Sequence, residues 1–275
     1  MQTMIQKMKH LDTSTQANDR AFIQAVTSHY KKSGRHDLPW RRDFLAYGIL
    51  VSELMLQQTQ VSRVISKYEL WMKTYPTLAK LKKASLQDIL VMWQGLGYQR
   101  RAKALYEIAQ KCSSIPKTYN ELIELPGIGP YTASAIMAFA YNTLGHPLVE
   151  TNIRTALIEY FHVGKESVTD TMLMEDLKRL ESYVSVKRQG ARQWYLACMD
   201  YGSYLKTHKI SHNQKVKGYT KQSPYKGSLR ELRAQALFAI THNKSLPQDK
   251  RLATVLEQLM QEGFIVAQGK TYKIA

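Results

Sequence analysis

The stretch Leu125–Asn152, LPGIGPYTASAIMAFAYNTLGHPLVETN, is the densest run of special backbone residues in the chain, and it contains a carboxylate close to its end. Gly127 and Gly129 flank one apolar residue, and Pro130 then opens a run of small residues typical of a helix. Glycine permits positive φ and close approach to a ligand, while free N–H groups at a helix start favour an anion such as phosphate. The stretch predicts a helix-hairpin-helix that grips a DNA backbone; an ordinary turn between two core helices fits the spacing equally well.

The composition favours a globular protein with a polyanionic partner. Of the 275 residues, 44% are hydrophobic and 22% are charged, which is ordinary for a soluble globular chain. The 39 basic and 22 acidic residues give a formal net charge of +17. Such an excess points first to nucleic acid and second to an anionic membrane surface.

Targeting and cysteine patterns add expectations about localisation and cofactors. The first residues lack an apolar leader, and no run is apolar enough to span a membrane, so we expect a cytoplasmic protein, associated with the nucleoid if the source is prokaryotic. Cys112 and Cys198 are the only cysteines. Two distant cysteines provide neither a disulfide framework nor a metal motif, so the sequence predicts no metal site.

Helical periodicity with short joins predicts an all-α domain over residues 18–205, in which Ser85–Asp88 and Thr118–Glu121 form capping boxes. Between Lys206 and Lys226 lie six lysines and no acidic residue, which indicates a basic linker. Two helices and a hairpin after it suggest a winged-helix-like α+β module. The predicted domains are a polar arm (1–17), a core (18–205) with one lobe at about 45–142 including the hairpin 125–141 and another from 18–44 and 143–205, the linker (206–227) and the module (228–275).

Two glutamates are candidates for acid–base chemistry. Glu53 lies in SELMLQQTQV, residues 52–61, beside Leu54 and Met55, so its carboxyl is expected at the edge of the core. Burial raises the pKa of a carboxyl and would make it a general acid near neutral pH; an exposed helix glutamate paired with a basic residue is the commoner alternative. Glu150 lies where a carboxylate would also stabilise the start of the next helix.

The two carboxyl groups together suit cleavage of an N-glycosidic bond. A proton on the leaving base and a negative charge beside the sugar both stabilise an oxocarbenium-like transition state. Gln58 and Tyr98 occupy predicted loop apices, from which a side chain can wedge into a duplex and fill the place of a flipped base. A solvent-exposed Gln58 and a partly buried Tyr98 without such a role fit the spacing equally well.

Four motifs occur in order along the chain, namely LPWR (38–41), SELMLQQTQV (52–61), WQGLGY (93–98) and LPGIGPYTA (125–133). Together they make residues 20–205 resemble the MutY adenine DNA glycosylases of the HhH-GPD, or endonuclease III, superfamily. The second of them is closer to the MutY branch than to the endonuclease III branch. The resemblance implies removal of adenine mispaired with oxidised guanine or guanine, by a monomer acting on double-stranded DNA that contains the mismatch or oxidised base, with no membrane involved.

The resemblance also implies roles for individual residues. Glu53 matches the acid that protonates adenine, Glu150 takes the position of the catalytic aspartate, and Asn152 matches the adjoining asparagine. Tyr131 stands where bifunctional members have lysine, so no amine is available for a Schiff base and efficient strand cleavage is not expected. The remaining implied sites are the base pocket (Trp40, Arg41), the duplex wedge or opposite-base contacts (Gln58, Thr59, Leu96, Tyr98) and the phosphate hairpin (Leu125, Gly127, Gly129, Thr132), whose carbonyls are expected to accommodate a monovalent cation.

Three departures from the family pattern leave alternatives open. Glu150 is one methylene longer than aspartate, and a shift on the order of 1 Å can cost about 10²-fold in rate. No cysteine follows Lys206, where the family's iron–sulfur loop would begin, so a cluster-free branch is predicted. The tail 228–275 is too short for the Nudix-like domain that reads oxidised guanine in many members. Two alternative functions therefore stay open. One is a glycosylase for thymine or uracil opposite guanine, and the other is a non-catalytic DNA-binding protein of this fold.

Overall fold

The computed structural model describes residues 13–210, 224–269 and 271–275. Those residues form fourteen α-helices, one 3-10 turn at Pro39–Arg41 and one antiparallel pair of strands. The predicted fold class, all-α with a small C-terminal α+β module, is confirmed. The helices and strands are α1 (Thr13–Ser33), α2 (Ala46–Leu56), α3 (Val61–Thr74), α4 (Leu78–Leu81), α5 (Leu86–Met92), α6 (Arg100–Lys111), α7 (Tyr119–Ile123), α8 (Pro130–Phe139), α9 (Thr151–Phe161), α10 (Asp170–Glu181), α11 (Val184–Gln189), α12 (Ala191–Thr207), α13 (Leu229–Thr241), α14 (Leu252–Gln261), β1 (Ile265–Gln268) and β2 (Thr271–Ile274).

The chain divides into two compact units. Among the described residues, the first unit contains 13–42 and 133–210, and the second contains 43–132 and the residues from 224 onward. The domain bounds drawn from the sequence stay a prediction. Most of the predicted arm and linker, 1–12 and 211–223, lies outside the described residues.

Local capping chemistry explains several helix starts. The Ser85 side chain accepts from the Asp88 N–H, and the Asp88 carboxylate accepts in return from the Ser85 N–H, so the predicted capping box before α5 is confirmed. Thr118 accepts from the Glu121 N–H at the start of α7. These contacts are local in sequence, which is why they could be predicted.

Two helices extend beyond the bounds of the predicted all-α core. Helix α1 begins at Thr13, so the last residues of the expected polar arm are helical. Helix α12 continues to Thr207, two residues into the expected linker. Gly190, with φ of 80°, separates α11 from α12. Glycine takes this left-handed conformation at little cost, which ends one helix and lets the next begin.

The C-terminal module belongs to the second unit. Strands β1 and β2 pair antiparallel with Ile265 opposite Ile274, and Phe264 just before β1 is fully buried. Gln87 at the start of α5 donates to the Thr241 carbonyl at the end of α13. Across the residues that the structure describes, no helix is both long and apolar enough to cross a lipid bilayer.

Candidate active site and nucleic-acid interface

Glu53 lies in the interior of the second unit. Glu53 belongs to α2 and is 5% exposed, and the next two residues, Leu54 and Met55, are fully buried. The Tyr131 hydroxyl donates to Glu53 Oε2 at 3.2 Å. Burial excludes the alternative of an exposed helix glutamate. The hydrogen bond orients one carboxyl oxygen and burial shields the group from bulk water, while the role of Glu53 as a proton donor stays a prediction.

Two polar side chains of the same unit protrude from loop apices. Gln58 has φ of 54° and Tyr98 has φ of 47°, so both lie in the left-handed region that residues other than glycine seldom adopt. Both are exposed, Tyr98 by 38%. Backbone strain of this kind often accompanies functional sites. The positions fit the predicted duplex wedge, which stays a prediction.

Other residues predicted to contact DNA lie in the interior. Leu96 is 3% exposed, and Thr132 is 2% exposed and accepts from the Gln57 side-chain amide at 3.2 Å. The Thr59 hydroxyl donates to the Leu96 carbonyl at 3.3 Å. Burial argues against direct DNA contact by Leu96 and Thr132, and it indicates that these side chains shape the loops from inside.

The hairpin begins after α7 and ends at α8. The Ile128 N–H donates to the Leu125 carbonyl at 3.1 Å. Gly127 has φ of 71°, and a Cβ there would lie 2.7 Å from Ala104 Cβ, so conformation and packing both require glycine. Gly129 faces open space, with nothing within 4 Å of a built Cβ. An open backbone at a helix start suits an anion, and phosphate binding at this hairpin stays a prediction.

Glu150 is the N-cap residue of α9 in the first unit. Its Oε1 accepts from the Ile153 N–H at 2.9 Å, and its Oε2 accepts from the Asn152 side-chain amide at 3.3 Å. The side chain is half-buried. Both carboxylate oxygens are therefore oriented by residues of the first helical turn. Glu150 caps the helix, as the alternative interpretation expected, and this contact is compatible with a role in charge stabilisation.

Burial and nearby charges act in opposite directions on this carboxyl. Burial raises the pKa of Glu150, whereas the backbone of Asn152 and Ile153 and the charges of Lys206 and Arg35 lower it; the net pKa is above its ordinary value. The carboxyl thus holds its proton to a higher pH than a free glutamate does. A role for Glu150 as an anion therefore depends on its basic neighbours.

Replacing Lys206 with methionine should raise the pKa of Glu150 further, because the charge that stabilises the carboxylate is lost. If base release requires ionised Glu150, the acidic limb of the rate–pH profile will move to higher pH. Lys178→Met, which removes an exposed lysine from α10 of the same unit, should leave that limb in place. Single-turnover rates across pH check this, and coincident profiles for Lys206→Met and the unmodified protein would contradict it.

A close helix crossing fixes the start of α9. A Cβ on Gly202 of α12 would lie 1.8 Å from the Asn152 carbonyl oxygen. No side chain fits between the two backbones, so glycine allows α12 to hold the turn that carries Glu150 and Asn152. A glycine in the interior of a helix, such as Gly202, is the sequence signal for this kind of contact.

Gly202→Ala should destabilise the first unit by about 1–3 kcal/mol through overpacking and should slow base release by displacing Glu150. Gly164 offers a matched control, because nothing lies within 4 Å of a Cβ built there. Urea unfolding and single-turnover rates for both variants test the contact. Equal stability of Gly202→Ala and Gly164→Ala would show that the crossing tolerates a methyl group.

The predicted base-pocket residues are both buried in the first unit. The Arg41 guanidinium binds Asp200 through Nη1 at 2.8 Å and Nη2 at 3.0 Å, and Arg35 Nε binds the same carboxylate at 2.6 Å. Burial acts to raise the pKa of Asp200, but the two arginines outweigh it and lower that pKa. Arg41 thus anchors the turn that carries Trp40, and base contact by either residue stays a prediction.

Arg101 is a functional candidate that the sequence analysis missed. It lies on the buried face of α6 with Ala104, Leu105 and Ile108. An arginine within an apolar helical stripe is the signal that could have identified it, since a buried charge needs dedicated partners. Its contacts connect the Glu53 helix to both exposed apices.

The chain is similar in sequence to known DNA repair proteins. Residues 51–182 match the family described as HhH-GPD superfamily base excision DNA repair protein. The adenine DNA glycosylase of Mycolicibacterium smegmatis is 42% identical over 143 residues, 50% of this chain and 48% of that protein. The adenine DNA glycosylase of Homo sapiens is 38% identical over 171 residues, 57% of this chain and 31% of that protein. The chain spans less than half the length of these curated relatives.

Solved structures with low sequence identity share the fold. A thermostable thymine-DNA glycosylase has a TM-score of 0.63 at 22% identity, covering 74% of this chain and 94% of that chain. A non-covalent endonuclease III–DNA complex has a TM-score of 0.54 at 14% identity, covering 77% and 91%. At these identities the likeness establishes the architecture alone.

Proposed function

We propose that this chain, in which residues 51–182 match the HhH-GPD superfamily of base excision DNA repair proteins, is a monofunctional adenine DNA glycosylase of the MutY type. The observation that carries the proposal is the buried carboxyl of Glu53, held by Tyr131 within the region that matches the superfamily. Similarity to curated adenine glycosylases, at up to 42% identity, favours adenine as the base. Adenine opposite oxidised guanine or guanine is the proposed substrate.

In the proposed reaction one carboxyl group donates a proton and a second stabilises a positive charge. Glu53 transfers a proton to a ring nitrogen of adenine as the C1′–N bond breaks, so the base leaves as a neutral molecule. The Glu150 carboxylate stabilises the positive charge that develops on the sugar. Water then adds its oxygen to C1′ and releases a proton, which leaves an abasic site. Tyr131 provides no amine for a Schiff base, so the DNA strand stays intact.

Charge and backbone geometry support double-stranded DNA as the partner. The net charge of +17 favours a phosphate backbone, and the hairpin at Gly127 and Gly129 offers an open backbone at a helix start. In this proposal Gln58 and Tyr98 enter the duplex where the adenine leaves the stack. A monovalent cation on the hairpin carbonyls and a monomeric state belong to the same proposal.

An iron–sulfur cluster does not fit the cysteines of this chain. Such clusters need about four cysteine thiolates, whereas the sequence has Cys112 and Cys198 alone. Burial raises the pKa of the Cys198 thiol well above its ordinary value, with the charges of Glu150 and Glu181 adding to the effect. A thiol in that environment resists the deprotonation that metal binding requires. We therefore propose that the reaction proceeds without a cluster, which iron analysis of active protein can check.

A panel of duplexes tests the proposed function. Each duplex places adenine, thymine or uracil opposite guanine, or adenine opposite oxidised guanine, and alkali then converts abasic sites to breaks. Adenine release with breaks only after alkali supports a monofunctional adenine enzyme. Release of thymine or uracil alone would identify a different mismatch glycosylase, and binding without release from any duplex would identify a non-catalytic protein; either result overturns the proposal.

A further inference from the structure

Arg101 makes six hydrogen bonds inside the second unit. The residue is 7% exposed. Its Nη1 donates to the carbonyls of Leu54, Met55 and Gln57 at 2.7, 3.0 and 2.6 Å. Its Nη2 donates to the Thr59 hydroxyl and to the carbonyls of Leu96 and Gly97 at 3.3, 2.8 and 3.0 Å.

The acceptors on Nη1 belong to the end of α2 and the loop after it. Leu54 and Met55 follow Glu53 directly, and their carbonyls lie in the last turn of the helix, where backbone acceptors lack partners within the helix. A cation is favourable at this end of the helix dipole. Arg101 therefore caps the helix that carries Glu53.

The remaining contacts surround the two exposed apices. Gln57 and Thr59 flank Gln58, and Leu96 and Gly97 directly precede Tyr98. One guanidinium thus fixes the backbone on both sides of Gln58 and the approach to Tyr98. This is the arrangement needed to hold two left-handed residues, whose conformation persists only when surrounding contacts enforce it.

Two aromatic rings complete the environment of Arg101. Its Cζ lies 5.5 Å from the centre of the Trp93 ring and 5.4 Å from the centre of the Tyr98 ring. Burial lowers the pKa of Arg101 to about 10, partly offset by Tyr98, so the group stays charged at neutral pH. Lysine provides a point charge rather than a planar fork and cannot reproduce these contacts.

We propose that Arg101 is a positioning residue for base extrusion, which holds the Glu53 helix and the apices at Gln58 and Tyr98 in one fixed arrangement. This inference rests on the proposed glycosylase function. Arg101 has no role in the bond-breaking step itself; it acts through the two side chains that replace the extruded base and through the helix that carries the acid.

Hydrogen exchange tests the positioning role without any need for activity. In Arg101→Lys, the amides of residues 54–60 and 95–98 should exchange faster than in the unmodified protein. The amides of α10 and α12 should exchange at the same rate in both proteins. Arg100→Lys, an exposed neighbour whose side chain pairs with Glu262, should leave both loops as they are. Thr59→Val removes one acceptor and provides a milder variant, in which the same loops should exchange faster. Unchanged exchange in both Arg101→Lys and Thr59→Val would overturn the inference.

A comparison of two substrates distinguishes positioning from a general structural role. Arg101→Lys should slow single-turnover release of adenine paired opposite oxidised guanine by roughly tenfold or more, as expected from the loss of even one charged hydrogen bond. The loss should be much smaller for adenine opposite an abasic site, because an unpaired base needs less help to leave the stack. Equal losses on both substrates would overturn the inference. Absence of release by the unmodified protein would instead contradict the proposed function and leave the exchange result standing.

Discussion

Glu53→Gln is expected to slow base release by about 10²–10⁴-fold, the usual contribution of a general acid, with little change in DNA affinity. Glutamine keeps the shape of the side chain and can still accept from the Tyr131 hydroxyl, but it has no acidic proton to give the leaving adenine. Single-turnover rates measure the chemistry, and fluorescence anisotropy with a mismatched duplex measures binding. The two readouts together separate loss of the acid from loss of the fold.

Glu69→Gln is a suitable control for this experiment, because Glu69 is an exposed glutamate on α3 of the same unit. It should retain the rate and affinity of the unmodified protein. A Glu53→Gln variant with a full rate would assign the proton to another group. A variant that no longer binds DNA would show that Glu53 mainly supports the interface.

The features predicted correctly from sequence depend on residues close together in the chain. Helix α6 follows its apolar periodicity from Arg100 to Lys111, and the Ser85 box sets the start of α5. Periodicity and capping are local effects, so a single sequence contains them. The hairpin was predictable for the same reason, since Gly127 marks the left-handed backbone conformation of its turn.

The features that were missed depend on contacts between distant residues. Tyr131 lies 78 positions from Glu53, and Arg41 lies 159 positions from Asp200. Their pairing follows from how the helices pack, which no local pattern specifies. Arg101 shows the same limit: its position in an apolar stripe indicates burial, whereas its acceptors come from two loops that only the fold brings together.

Glu150→Gln is the second substitution with a large expected effect on rate. In the proposed mechanism the carboxylate stabilises the sugar cation, and removal of one such electrostatic contact typically costs about 10²–10³-fold in rate. Glutamine can still accept from the Ile153 N–H through its side-chain oxygen, so the helix cap is retained. Glu150→Asp keeps the charge but shortens its reach, and its rate should fall between those of the glutamine variant and the unmodified protein.

Glu150→Gln should also be more stable than the unmodified protein, by an amount that grows as the pH rises. Because burial raises the pKa of Glu150 in the folded state, the folded protein binds the proton more tightly than the unfolded chain does. The contribution of protonated Glu150 to the free energy of unfolding is therefore fully present below the ordinary pKa of glutamate. It declines as the pH rises to the raised pKa of the folded state. Glutamine has no such loss, so the free energy of unfolding of Glu150→Gln should increase relative to the unmodified protein between pH 4 and pH 8. Urea unfolding across this range measures the difference. A slower but more stable variant would show that the fold tolerates a destabilising carboxylate that the reaction requires. A stability difference between Glu150→Gln and the unmodified protein that does not change with pH would mean that folding leaves the proton affinity of Glu150 unaltered.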